Sequence, residues 1–138
     1  LLERVTDYIA HRTSDKVKIS THVPDSLPPV RLNVALFEWV IENLCKNAVD
    51  AMGGVGVLVI SVQETSRYWC IDVADTGKGI DKRYFETVFA PGYTTKKRGW
   101  GLGLSLARRI VVEYHSGSIF VKQSEINKGT IFRIELKK

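Results

Sequence analysis

The longest periodic segment of this 138-residue chain covers residues 32–52, LNVALFEWVIENLCKNAVDAM, and predicts a long helix. Its apolar side chains fall within one arc about 80° wide when successive residues are placed 100° apart: Phe37, Ile41, Leu44, Ala48 and Met52. Glycines at 53, 54 and 56 end the segment. A helix with one apolar stripe is stable when another layer of secondary structure covers that stripe.

Shorter segments on both sides of this helix predict the covering layer. Alternating apolar residues bounded by turn signals predict strands at these positions: 16–23, 57–63, 67–75, 118–123 and 130–136. Further helices are expected at 1–12, 81–88 and 102–115, and a loop without periodicity at 90–101. We therefore expect one α/β (α+β) two-layer sandwich over residues 1–138, a mixed, largely antiparallel sheet of about five strands with about three helices on one face.

Composition excludes several other classes. The chain is 44% apolar and 25% charged, which disfavours disorder, collagen and disulfide scaffolds. No apolar run approaches the ~20 residues that span a bilayer, and no signal peptide is recognisable. Cys45 and Cys70 lack metal-ligand or redox-motif spacing and are predicted to be buried free thiols. A soluble cytoplasmic domain is expected.

The net charge of +5 is concentrated in one segment. No acidic residue lies between Thr87 and Val112, and the segment carries five cations: Lys96, Lys97, Arg98, Arg108 and Arg109. A solvated basic face would explain this pattern, and so would binding of nucleic acid. Because the cations lie beside glycines, we favour a compact polyphosphate.

Two asparagines lie on the polar side of the long helix. Asn43 and Asn47 are four residues apart and therefore share one stripe. They could be exposed polar residues beside an ordinary Glu42–Lys46 ion pair. Asparagine is a poor helix former, however, and neutral amide oxygens suit a hard cation that also binds phosphate.

Asp75 is the last residue of the predicted strand at 67–75. It has the same parity as Trp69, Ile71 and Val73, so its carboxylate points to the apolar side of the strand. A buried carboxylate needs hydrogen-bond donors. The donors could be the following amides of an Asx turn, or the amino group of a ligand such as adenine.

A third feature is the alternation of glycines in residues 99–103, GWGLG, at the start of a predicted helix. Backbone N–H groups at such a helix start can bind an anion. The segment is not a P-loop, since GxxxxGK[ST] is absent, and it is not a dinucleotide fingerprint, since no strand precedes it.

In this order and spacing, these features resemble the ATP-binding catalytic domain of bacterial two-component sensor histidine kinases, in the superfamily of gyrase, heat-shock chaperone and mismatch-repair ATPases. Five motifs carry the resemblance: the asparagine box 43–51, the first glycine box 75–80, the phenylalanine box 89–96, the second glycine box 99–104 and the glycine–threonine element 129–132. The resemblance implies a Bergerat-type ATP-binding fold with ATP and Mg²⁺ as cofactors.

The resemblance also implies a role for each matching residue. Asn47, helped by Asn43, would hold Mg²⁺, and Asp75 would bind the adenine amino group. Gly79 would let the backbone approach the base, and Thr130 would assist through water. The remaining implied ATP-binding residues are Gly77, Ile80, Thr94, Thr95, Lys96, Gly99, Trp100, Gly101, Leu102, Gly103 and Leu104.

Within that set, Lys96 would stabilise the terminal phosphates from a mobile lid, and the amides of residues 101–104 would hold the phosphate chain. The chain departs from the family pattern at two positions. Trp100 stands where the family often has threonine or another smaller residue, so we expect the lid to pack differently from that of its relatives. Asp50 occupies a position that is basic in some kinases and receives no role.

The resemblance implies transfer of the γ-phosphoryl group of ATP to a histidine on a separate helical-hairpin domain. A response regulator would act downstream of that histidine. None of His11, His22 and His115 has the sequence context of that acceptor, and His115 is predicted to cap a helix end. We therefore expect a domain of a larger sensor kinase, usually dimeric, without nucleic-acid or membrane contacts of its own.

Three alternatives remain. An ATP-hydrolysing gyrase- or chaperone-type domain would need a carboxylate at position 43, which is asparagine, and Glu42 lies about 100° away around the helix. An anti-sigma-type serine kinase is a similar alternative. A nucleic-acid-binding module would leave Asp75 and the asparagine stripe unexplained.

Overall fold

The sheet of the computed structural model, which describes residues 16–24, 32–93 and 103–138, has five strands in the order β1-β2-β3-β5-β4. The strands are β1 (Val17–His22), β2 (Gly56–Glu64), β3 (Tyr68–Asp75), β4 (Ser118–Glu125) and β5 (Gly129–Lys137). β1 and β2 are parallel and the other neighbouring pairs are antiparallel. The expected mixed, largely antiparallel sheet is therefore confirmed.

The long helix α1 (Val34–Ala51) begins where the Asn33 side chain accepts a hydrogen bond from the Leu36 amide at 3.1 Å. It ends before Gly53, whose φ of +65° lies in the left-handed region. Its buried face is close to the predicted arc: Phe37, Val40, Ile41, Leu44, Cys45 and Ala48. The predicted core residue Met52 is only partly buried.

The core lies between α1, a second helix and one face of the sheet. Leu58 and Ile60 of β2, Val73 of β3 and Ile134 of β5 are almost completely buried against the helices. Both cysteines are buried free thiols as predicted, and burial raises the pKa of the Cys45 thiol to about 12. Among the described helices, none is long and apolar enough to cross a membrane.

The predicted helix at 81–88 is wrong. Two 3₁₀ turns, Lys82–Tyr84 and Thr87–Phe89, take its place. Asp81 caps the first turn, with the Arg83 amide donating to its Oδ1 at 3.0 Å. Val88 and Phe89 of the second turn are both buried in the core.

The predicted helix at 102–115 is α-helical only over α2 (Gly103–Arg109) and continues as a π-helix over Ile110–Tyr114. The His115 ring lies at the end of this segment, with its Nδ1 3.1 Å from the Ile110 carbonyl oxygen. Its Nε2 accepts a hydrogen bond from the Asn33 amide at 3.0 Å. His115 therefore caps the helix end, as predicted, and also ties it to the start of α1. The predicted helix at 1–12 lies outside the described residues.

Candidate functional site

Asp75 lies at the end of β3 and is only 8% exposed, as its parity predicts. Its Oδ1 accepts a hydrogen bond from the Gly77 amide at 2.8 Å, so the predicted Asx turn is present, and a contact with a ligand amino group stays a prediction. Burial raises the pKa of the Asp75 carboxyl, and the Gly77 and Thr130 backbone amides oppose that rise. No cation pairs with Asp75 among the described residues. Because a carboxylate has about four lone-pair sites, the turn leaves acceptor capacity for another donor.

The loop after Asp75 is held between two other parts of the chain. A Cβ at Gly77 would lie 2.6 Å from the backbone carbonyl of Ala51, so the loop packs directly on the end of α1. The Lys78 amide donates to the Ala51 carbonyl at 3.0 Å, and the Asn127 amide donates to the Lys78 carbonyl at 2.8 Å. These contacts fix the backbone of the loop that follows Asp75.

Gly79 has a structural role that the sequence argument missed. Its φ is +78°, and a Cβ there would collide with the backbone of Glu125, where β4 ends and the turn to β5 begins. The space beside Gly79 is therefore filled by this turn. The expected approach of the Gly79 backbone to a base remains a prediction.

A hydroxyl network lies behind this loop. The Ser124 Oγ accepts a hydrogen bond from the Ile80 amide at 2.7 Å and lies 2.8 Å from the Thr130 Oγ1. Thr130 is 4% exposed and is the direct cross-strand partner of Asp75. Sequence reasoning missed Ser124 because a bulge in β4 between Val121 and Gln123 sets which residue faces Thr130.

The asparagine stripe lies close to the start of α2. A Cβ at Gly103 would lie 2.8 Å from both Nδ2 and Oδ1 of Asn43, so glycine is required for this contact. The buried Asn43 Nδ2 has no hydrogen-bond partner among the described residues. Asn47 is half-buried one turn further along α1. The fold thus places Asn43 of the predicted asparagine stripe against Gly103, one of the residues predicted to bind phosphate.

This amide pair fits Mg²⁺ by the chemistry of its donors. Amide oxygens are hard, neutral ligands, and Mg²⁺ is usually held by few protein groups together with water and substrate phosphates. Within the described ranges, no cluster of three histidine, cysteine or acidic side chains could hold a metal. The unpartnered Asn43 Nδ2 is a hydrogen-bond donor, so it suits an acceptor such as a phosphate oxygen and is not itself evidence for a metal.

The basic segment requires a correction. Arg108 pairs with Glu86 at 2.8 Å, and Arg109 pairs with Glu113 at 3.1 Å. These acids lie just outside the acid-free stretch, and Arg108 holds the pKa of the Glu86 carboxyl below its usual range. Arg108 also stacks over the Phe89 ring at 4.8 Å. Two of the five cations are therefore paired with carboxylates within the fold, so the segment carries less unbalanced charge than its sequence suggests.

Several predicted site residues lie outside the described ranges: Thr94, Thr95, Lys96, Gly99, Trp100, Gly101 and Leu102. The expected mobile lid lies mostly there as well. On the described sides of this segment, Tyr93 stacks on Tyr84 with ring centroids 6.4 Å apart, and Gly103 is the first described residue of α2. Leu104 is partly buried against the core.

A buried carboxylate with no cation partner among the described residues, together with an asparagine that contacts Gly103 of α2, is the arrangement that the sequence predicts for a nucleotide-binding domain. The chain belongs to the family described as "Histidine kinase-, DNA gyrase B-, and HSP90-like ATPase", whose model matches residues 33–138. The resemblance found in the sequence is therefore confirmed.

Among individual proteins, the chain is 35% identical over 123 residues to Sensor histidine kinase ZraS of Escherichia coli K12, covering 89% of this chain and 26% of that protein. It is 37% identical over 97 residues to Sporulation kinase C of Bacillus subtilis, covering 70% and 22%. The catalytic domain of histidine kinase ThkA, in a nucleotide-free form, superposes with a TM-score of 0.86 at 26% identity, covering 99% of this chain and 90% of that one. The chain thus spans about a quarter of the length of the curated relatives it matches. Its fold is that of a histidine kinase catalytic domain.

Proposed function

We propose that this chain is the ATP-binding catalytic domain of a sensor histidine kinase and donates the γ-phosphoryl group of ATP to a histidine on a separate helical-hairpin domain. The observation that carries the proposal is the environment of Asp75, a buried carboxylate with backbone donors and no cation partner in the described part of the chain. Such a group is expensive unless a ligand donor completes its hydrogen bonding. The exocyclic amino group of adenine supplies that donor.

The other residues of the site then take the roles that the resemblance implied. Thr130 assists adenine recognition through water, and Gly77, Gly79 and Ile80 shape the loop beside the base. Asn47, helped by Asn43, would hold Mg²⁺, which when bound neutralises charge on the phosphates. The phosphate chain would be bound by Lys96 and by residues on both sides of the start of α2: Thr94, Thr95, Gly99, Trp100, Gly101, Leu102, Gly103 and Leu104.

The work of these residues is positioning and charge stabilisation, since phosphoryl transfer requires little covalent chemistry from the protein. Lys96 would meet the charge that develops on the transferred group. No covalent intermediate on this chain is needed.

The acceptor histidine is expected on another domain. Both ring nitrogens of His115 make hydrogen bonds within the fold, and His22 is on the edge strand β1 without the context of an acceptor. The proposed partners are ATP and ADP, the acceptor hairpin of the same sensor kinase, dimeric in the full protein, and a response regulator downstream. The proposal places the domain in the cytoplasm, without nucleic-acid or membrane contacts of its own.

Two assays test the proposal. Calorimetric titration with ATP should show binding that Mg²⁺ strengthens, and Asn47→Ala should remove the Mg²⁺ contribution while leaving adenosine binding nearly intact. Alanine has the higher helix propensity, so the helix itself should not weaken.

The second assay uses radiolabelled ATP. The chain alone should release little phosphate and remain unlabelled, and adding the hairpin domain of its parent kinase should give slow labelling of histidine, because separated domains lose the effective concentration of a tether. Lys96→Ala should reduce this transfer more than ATP binding. Rapid phosphate release by the chain alone would favour the ATP-hydrolysing alternative, and label on a serine of an added protein would favour the serine-kinase one.

A further inference from the structure

The Ser124 hydroxyl has three polar neighbours within hydrogen-bonding distance. They are the Ile80 amide nitrogen at 2.7 Å, the Thr130 Oγ1 at 2.8 Å and the Gly129 carbonyl oxygen at 3.0 Å. A serine hydroxyl offers one proton and two acceptor lone pairs. The Ile80 amide can only donate and the Gly129 carbonyl can only accept. All three contacts are therefore satisfied together only if Thr130 donates its hydroxyl proton to Ser124.

This assignment has a consequence for Thr130. Its single hydroxyl proton is used by Ser124, so its oxygen has only acceptor lone pairs left for any other partner. Thr130 is also the direct cross-strand partner of Asp75, and both residues are buried. The carboxylate of Asp75 is itself an acceptor. Two neighbouring groups at this end of the sheet therefore both require a donor.

We infer that Ser124 determines base specificity by fixing the Thr130 hydroxyl as an acceptor. With Asp75 and Thr130 both fixed as acceptors, a water that bridges them gives both its protons to them and presents only lone pairs to the base. This arrangement favours adenine, whose exocyclic amino group donates, and disfavours a purine with an oxygen at the same position. A site built around one hydrogen-bond pattern rejects the opposite pattern strongly because buried polar groups are left unpaired. Ser124 acts through Thr130 and is thus a positioning residue. This inference rests on the proposed binding of ATP at Asp75.

The test compares Mg-ATP with Mg-ITP, whose base carries an oxygen in place of the adenine amino group, by calorimetric titration. The wild-type chain should prefer ATP. Ser124→Ala releases the Thr130 hydroxyl, which can then rotate and donate. ATP binding should weaken by about two- to twelvefold, the range for one neutral hydrogen bond, and the ratio of ATP to ITP affinity should shrink. Ser124→Thr keeps the hydroxyl and should keep the ratio.

A purely structural role predicts a different result. Loss of the acceptor for the Ile80 amide would shift the loop and weaken both nucleotides by the same factor, and an unchanged ratio would overturn the inference. In a Thr130→Val background, Ser124→Ala should no longer alter the ratio, and a change there would also overturn it. If Ser124→Ala fails to fold, Ser124→Cys, whose sulfur is a weak hydrogen-bonding group, gives the same comparison.

The same titrations separate this inference from the proposed function. A wild-type chain that binds neither nucleotide, or both equally, contradicts adenine recognition and the inference together. A wild-type chain that prefers ATP, with the same preference in Ser124→Ala, contradicts the inference alone.

Discussion

Two aspartates of β3, Asp72 and Asp75, are three residues apart, on opposite faces of the sheet, and are almost equally buried, at 6% and 8% exposure. Asp72 is bound by Arg133 through two hydrogen bonds of 2.7 and 2.8 Å, with the Lys122 ammonium at 3.7 Å. Asp75 accepts from backbone amides and has no cation partner in the described ranges. The same side chain therefore has its charge balanced by the protein at one position and not at the other.

The Asp72 carboxylate thus has a structural role, whereas the Asp75 carboxylate keeps acceptor capacity for a ligand. Burying a charge is costly unless it is paired and hydrogen-bonded. At Asp72 the guanidinium offsets the cost, and the same contact raises the pKa of Arg133. At Asp75 the cost is only partly offset, which is why burial raises the pKa of that carboxyl. A ligand amino group would complete the second site as Arg133 completes the first.

The largest expected effect comes from Asp72→Ala. It leaves the Arg133 guanidinium, itself mostly buried, without its partner, and should lower the free energy of unfolding by about 3–5 kcal/mol. Binding of ATP by the folded variant should change little. Urea unfolding measures the first quantity, with Glu113→Ala, which breaks an exposed ion pair, as a control without measurable effect. A variant as stable as the wild type would show that Arg133 is not dependent on Asp72.

Gly79→Ala should disturb the surroundings of Asp75 and leave the Asp72 pair intact. Gly54 is a matched control because its φ of +80° is nearly the same as the +78° of Gly79, but nothing lies near the position of its Cβ. Both variants carry the cost of a left-handed alanine, about 1–2 kcal/mol. Gly79→Ala should lose about 1–3 kcal/mol more by overpacking against Glu125, and should also weaken ATP binding. Equal losses at the two positions would contradict the tight contact.

Asp75→Asn keeps the shape of the side chain but presents an amide to the ligand amino group. We expect ATP binding to weaken by about 1–3 kcal/mol in calorimetric titration. Stability should be maintained or improved, since the amide oxygen can still accept from Gly77 and a buried charge is removed. Asp81→Asn makes the same chemical change at an exposed site and should leave ATP binding unaltered. Unchanged ATP affinity in Asp75→Asn would remove the basis of the assignment.

The smallest expected effect is the pH dependence of stability. Because the folded pKa of Asp75 is raised above its ordinary value of 3.8, the folded chain holds this proton more tightly than the unfolded chain. Its contribution to stability therefore falls as the pH rises from the unfolded to the folded pKa. The stability of the wild type relative to Asp75→Asn should decrease across that window in urea unfolding at several pH values. A relative stability that increases with pH would mean that the carboxylate is stabilised within the fold.

Local patterns were sufficient to predict much of this fold. The apolar arc of α1, the five strands and the burial of Asp75 all follow from periodicity within one segment. The same parity argument missed the burial of Asp72, because it depends on Arg133, which is 61 positions away on another strand. Alternation assigns one face of a strand to the core but does not show when an ion pair covers the other.

The errors share a similar physical origin. The pairing of Arg108 with Glu86 could not be predicted, because the acid precedes the basic segment and reaches it only in the folded chain. The contact of Ser124 with Thr130 depends on a bulge, which moves the register of β4 by one residue. In both cases the tertiary structure determines the hydrogen-bond or ion-pair partner, and the composition of the local segment does not reveal it.

The most direct test of the difference between the two aspartates is a ¹³C NMR titration of the Asp75 carboxyl carbon, with and without saturating adenosine. In the free chain, the pKa of Asp75 should lie above 3.8 because burial disfavours the charged form. Adenosine lacks phosphates, so its amino group is the relevant donor, and its binding should lower this pKa by stabilising the carboxylate. If the pKa of Asp75 is the same in the free and the adenosine-saturated chain, the claim that the ligand amino group donates a hydrogen bond to this carboxylate is contradicted.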